Sequence, residues 1–157
     1  MAKQFWLMKT EPDTFSIDDL SKRPGQTESW DGVRNYQARN YMRDQMKIGD
    51  GVLFYHSSCS PAGIAGEAKV ASHPLPDPTA LNPQSPYFDA KATPEKNPWA
   101  LVKVAFVQKF KRFVTLDELR TLPGLENMVV LKKGMRLSIQ PVTPEEFRLV
   151  LKLGKGK

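Results

Sequence analysis

An α+β fold, a small mixed β-barrel with flanking helices, is predicted by three features of this sequence. Short apolar runs rich in aromatic and β-branched residues recur at 5–8, 52–55, 64–70 and 99–110, patterned as strands rather than helices. Helix-start signals, a hydroxyl followed by acidic residues, occur at Ser16, Thr115 and Thr143. They do not alternate regularly with the strands, so a parallel sheet of strand-helix units is not expected, and a curled mixed sheet with peripheral helices is the natural solution. A chain of 157 residues suits one domain, 1–157, that buries a full core without disulfide staples.

In order, Phe5-Trp6-Leu7-Met8 is a buried strand from whose end Lys9 emerges. Ser16-Ile17-Asp18-Asp19 has the form of a capping box and opens a helix to about residue 22, ended by Pro24-Gly25. Asp31-Gly32 marks a turn with Trp30 at its mouth, because glycine accepts positive φ and aspartate bonds nearby backbone. Asn35 then caps a helix to about residue 46. Its helical projection groups Ala38, Tyr41, Met42 and Met46 on an apolar face and Tyr36, Arg39 and Arg43 on another.

A turn at 47–51 leads into a central strand, 52–55, with His56 and Ser57 just past its end. Residues 64–70 form its hairpin partner, and the glycines there predict a bulge or a close backbone approach. The thirteen prolines are densest between Pro74 and Pro98, where neither period holds, and this predicts a long ordered loop that covers something. Residues 99–110 make a long, mostly buried strand. Thr115 opens a short helix that Pro123-Gly124 ends. The 136–141 segment sends Leu137 and Ile139 to the core and Arg136, Ser138 and Gln140 to the other face. Thr143-Pro144-Glu145-Glu146 starts a final helix that buries Phe147, Val150 and Leu151 and leaves a basic tail of Lys152, Lys155 and Lys157.

A mean hydropathy of −0.45 with 40% apolar residues describes an ordinary globular chain. The first residues offer too short an apolar run for a secretory signal, and no membrane span is patterned, so a cytoplasmic protein is expected, or a nuclear one in a eukaryote. The net charge of +6 favours anionic partners. Cys59 is the only cysteine, and with His56 and His73 it makes too few soft ligands for a structural zinc site, so no metal or cofactor is expected. No Gly-rich nucleotide motif and no nucleophile elbow occurs. His56 beside Cys59 is the one nucleophile-base arrangement on offer, which keeps an enzyme or small-ligand binder as the alternative reading.

Binding chemistry is densest over 30–43. Trp30 supplies a stacking surface, Tyr36 and Tyr55 can add walls, and Asn35, Ser57, Ser138 and Gln140 carry donors and acceptors suited to a base edge. Lys9, Arg34, Arg39, Arg43 and Arg136 supply phosphate-seeking charge. A lone Trp in such a pattern is more often a core indole, and Asn35 is a helix cap whether or not it binds.

The blocks 5–12 (Phe-Trp-Leu-Met-Lys-Thr-Glu-Pro), 30–40 (Trp-Asp-Gly-Val-Arg-Asn-Tyr-Gln-Ala-Arg-Asn), 52–57 and 136–142 together resemble the EVE domain, in the right order over almost the whole chain. That resemblance implies a PUA-like barrel related to YTH and ASCH domains. It also implies a non-catalytic reader that accepts an extruded modified base, modified cytosine in DNA first and modified RNA second; separately from the resemblance, a monomer is expected. Carried over, Trp30 would stack, Asn35 and Ser57 would read the base edge, and Tyr55 and His56 would shape the wall. The chain departs from the family pattern at Gly51 and in the loop Ser58-Cys59-Ser60, outside the pocket motif.

Overall fold

The computed structural model describes residues 3–155; Lys157 of the expected basic tail lies outside them. Six strands form one mixed sheet in the order β2-β7-β4-β3-β1-β8, curled into a half-barrel. They are β1 (Phe5–Thr10), β2 (Thr27–Ser29), β3 (Gly51–His56), β4 (Gly63–Val70), β7 (Lys103–Thr115) and β8 (Ile139–Val142). β5 (Leu75–Pro76) and β6 (Ala100–Leu101) pair separately. The central β1 and β3 run parallel, and all other pairs are antiparallel.

Period-two alternation sends these side chains to two cores. Trp6, Met8, Val52 and Phe54 join Ile17, Leu20, Trp30 and Met42 on one face. Leu7, Leu53, Tyr55 and Ile64 join Phe110, Phe147 and Val150 on the other. Gly66 stands where β4 and β7 slip register, and a Cβ there would come within 2.5 Å of the Gln108 carbonyl oxygen, so the predicted close approach is real.

Helix α1 (Ile17–Lys22) carries the full capping box at Ser16, and α4 (Pro144–Gly154) carries one at Thr143. Between them, α3 is the single turn Leu116–Leu119, capped by Thr115. In α2 (Tyr36–Asn40) the Asn35 side chain accepts from Ala38 N–H at 3.0 Å. The helix then widens into a π-turn over Tyr41–Gln45, closed by Met46 N–H donating to the Tyr41 carbonyl. Ala38, Met42 and Met46 are all buried, as the apolar face requires.

Two expectations need correction. The expected strand 99–110 is divided between β6 and β7: Trp99, Ala100, Leu101, Val102, Val104 and Phe110 are buried, but Lys103, Val107 and Lys109 are exposed, because the three-residue β2 pairs only with Lys103, Val104 and Ala105 and the edge beyond meets solvent. Arg136, Ser138 and Gln140 do not share a polar face. β8 begins only at Ile139, and Gln140 pairs with Leu7 and is 1% exposed, donating to the Leu137 carbonyl at 2.8 Å.

Candidate nucleic-acid interface

The turn after β2 brings Trp30 to the rim of the first core. Its backbone N–H donates to Val102, and its indole packs edge-on against Phe54 at 5.5 Å and Phe15 at 6.3 Å. The residue is 8% exposed, and what remains exposed opens into a cavity of about 570 Å³. Phe15, Val33 and Tyr87 add apolar wall, while Glu11, Asp31, Asn35 and Ser138 bring polar groups to the same space. Trp30 is thus both a core indole and a cavity wall. Among the described residues its indole N–H has no acceptor.

The 74–98 loop borders this cavity through Tyr87, in line with a proline-dense loop that covers something. Asp77, fully buried, accepts from Gly32 N–H at 2.8 Å and from Arg34 at 3.0 Å, and is braced by Thr79. Burial would raise its carboxyl, but the donated hydrogen bonds outweigh that and hold it below the usual carboxylate range. Arg34 also donates to the Tyr87 carbonyl and the Thr79 hydroxyl, so its fork ties the loop down. Gly32 has φ +77°, and a Cβ there would sit 2.7 Å from the Tyr87 ring. Only glycine permits both the turn and the ring's approach.

The cationic groups divide by their partners. Arg34 is saturated by the loop, Arg43 pairs with Asp44, and Arg39 donates to Asn40 and the Pro98 carbonyl. Lys9 borders the cavity, but its ammonium lies 5.6 Å from the Tyr55 ring centre, on the opposite face of the sheet, and burial lowers its pKa. Arg136 lies outside the cavity, in a groove of about 440 Å³ with Lys132, Tyr41 and Asn35. Asn35 therefore borders both spaces. At the cavity rim, desolvation first, then the charges of Asp77 and Glu28, push the Asp31 carboxyl up.

Several residues expected at the site stand elsewhere. Tyr55 is 3% exposed in the core on the opposite face of the sheet. The His56 Nε2 accepts from Ile17 N–H at 3.2 Å and so caps α1, and burial lowers its pKa, in keeping with a neutral ring. Ser57 bonds through its backbone to Thr10, Gln140 is interior, and Tyr36 stacks on Trp99 outside the cavity. The Cys59 thiol donates to the Pro61 carbonyl and is pushed up by burial, away from thiolate character. Asp77, Tyr87, Glu11 and Asp31 escaped prediction because their place depends on how an aperiodic loop and a turn fold back. The one available signal was that the proline-dense loop should cover something.

The EVE domain family model matches residues 4–153. Human thymocyte nuclear protein 1 is 44% identical over 165 aligned residues, covering 94% of this chain and 72% of the relative. A hypothetical protein from Leishmania major superposes with TM-score 0.92 at 47% identity, over 99% of this chain and 96% of that one. The human THYN1 protein, solved in complex with 5-methylcytosine-containing DNA, superposes with TM-score 0.90 at 43% identity, over 99% of each chain. At the level of fold alone, the YTH domain of the Zygosaccharomyces rouxii MRB1 protein matches with TM-score 0.55 at 14% identity, over 98% and 87%, in keeping with a PUA-like architecture.

Proposed function

This chain belongs to the EVE domain family, and on that premise we propose that it is a non-catalytic reader of nucleic acid that holds an extruded, modified base against Trp30. The observation that carries this reading is the cavity itself: a buried indole whose exposed edge opens into it, with no acceptor for its N–H among the described residues, apolar walls, and polar groups at the rim. A relative 43% identical was solved with 5-methylcytosine-containing DNA, which favours modified cytosine in DNA, with modified RNA second. One EVE domain over 1–157, acting as a monomer in the cytoplasm, or in the nucleus of a eukaryote, completes the proposal.

A cytosine ring stacked on Trp30 would direct its amino group toward carboxylates such as Asp31 or Glu11. Its acceptor edge would face the donors of Asn35 and Ser138. Extrusion from a duplex costs a few kcal/mol, and stacking on an aromatic returns roughly 1–3 kcal/mol. Lys132 and Arg136, along the neighbouring groove, would attract the backbone. Burying the methyl group against Phe15 or Val33 is worth about 0.8 kcal/mol, roughly a fourfold preference for the modified base. With His56 capping a helix and Cys59 bonded to backbone, an enzyme built on that pair has less support.

Tryptophan fluorescence titrations with 5-methylcytosine and cytosine oligonucleotides, as DNA and as RNA, test this. The modified DNA should quench at the lowest concentration, and Trp30→Phe should remove the difference. Superimposable curves for modified and unmodified strands would overturn the reading.

A further inference from the structure

Outside the cavity, aromatic and guanidinium groups follow one another in a continuous chain of contacts. It starts at the cavity wall, which Tyr87 and Arg34 both line. The Arg34 guanidinium lies 5.8 Å from the Tyr87 ring centre and 5.1 Å from that of Trp99. Tyr36 stacks on Trp99 at 4.8 Å with an interplanar angle of 22°, and the Arg39 guanidinium lies 4.8 Å from the Tyr36 ring. Even with Trp99 and Arg39 against it, Tyr36 remains 58% exposed, the most of any large apolar side chain among those described.

We propose that Tyr36 is a second base subsite, a stacking platform for the unmodified nucleobase adjacent to the one in the cavity. This rests on the reader function proposed above and adds to it a contact with the flanking nucleotide. Three features select a nucleobase as the occupant. The ring is held rigid by Trp99, whose indole N–H is itself fixed by Asp89 at 2.8 Å, so little freedom is lost on stacking. Arg39 hydrogen-bonds to neutral acceptors, the Asn40 side chain and the Pro98 carbonyl, with Asp44 the acidic group that feels its charge, so a passing phosphate can draw the guanidinium aside and open the ring face opposite Trp99. The platform is also joined residue by residue to the cavity, since Asn35, next to Tyr36, lines it. Stacking of this kind is indifferent to base identity, so the platform adds affinity and leaves the choice of modification to the cavity.

The test uses the full chain and a short single-stranded DNA with one central 5-methylcytosine, together with versions carrying an abasic residue on either side of it. Tyr36→Ala and Tyr36→Leu should weaken binding of the intact strand about 5- to 150-fold, the range expected for one base-aromatic stack, while Tyr36→Phe binds like the native protein. An abasic residue on one side should weaken the native protein comparably and cost the Tyr36→Leu variant nothing further. Tyr36→Leu keeps apolar cover over Trp99, and its thermal midpoint should match the native one. Native preference for 5-methylcytosine with unchanged affinity in Tyr36→Leu, or additive losses from the variant and the abasic residues, would overturn the platform and leave the reader intact. Absence of preference in the native protein would instead overturn the reader.

Discussion

The two faces of the sheet are built from alternate residues of the same strands, yet one ends in a cavity and the other does not. Phe54 and Tyr55 are neighbours in β3; Phe54 backs Trp30, and Tyr55 lies in the core that α4 closes. On the closed face the cover is apolar: Phe147 meets Phe5 at 4.4 Å, and Val150 is fully buried. On the open face the cover is the 74–98 loop, held by hydrogen bonds to Asp77 rather than by packed side chains. Apolar packing fills space without direction, whereas a polar pin sets a loop at a fixed distance and leaves room beneath it.

The largest expected effect comes from substitutions matched across this divide. Trp30→Ala and Phe147→Ala should each cost roughly 3–5 kcal/mol in denaturant unfolding. Only Trp30→Ala should abolish discrimination between modified and unmodified strands. Equal loss of discrimination in both would mean that the faces are not functionally distinct. Next, Asp77→Asn should cost roughly 3 kcal/mol by leaving Arg34 without its anion, and hydrogen exchange should rise in the loop rather than in β1 or β3.

Salt and pH give smaller effects that sharpen the comparison. With Arg39, Lys132 and Arg136 as the phosphate contacts, the logarithm of affinity should fall with the logarithm of salt at a slope of about −2 for a single strand. Arg34→Lys should change loop stability more than that slope. The Asp77 carboxyl is depressed on folding, so its contribution is complete above the unfolded-state pKa and is lost as pH falls through the lower folded value. Acid titration should therefore loosen the loop, and Asp77→Asn should flatten that dependence. Asp31 has the opposite sign: its raised pKa means the ionised form is penalised at neutral pH, so Asp31→Asn should slightly raise the unfolding midpoint there.

Much of the architecture was legible from short stretches. The capping boxes at Ser16 and Thr143, the β3–β4 hairpin and the buried stripe Ala38, Met42, Met46 all rest on residues within one or two turns of each other. The candidate site was legible only in part. Trp30, Asn35 and Ser138 converge on the cavity and Lys9 borders it, while Tyr55 and Gln140 are interior and His56 serves a helix. Arg34 reaches the cavity, but its donors are used up by the loop.

By itself the sequence determined the strands, the helix caps, the turn that presents Trp30 and the family to which the chain belongs, because each depends on near neighbours or on contiguous motifs. Tertiary structure decided which alternate residues face the cavity, which arginines retain free charge and what closes over Trp30. Those outcomes hang on pairs such as Arg34 with Asp77, 43 positions apart, whose meeting depends on the path of an aperiodic loop. Local propensity carries no information about that path, and only the assembled sheet brings its ends together.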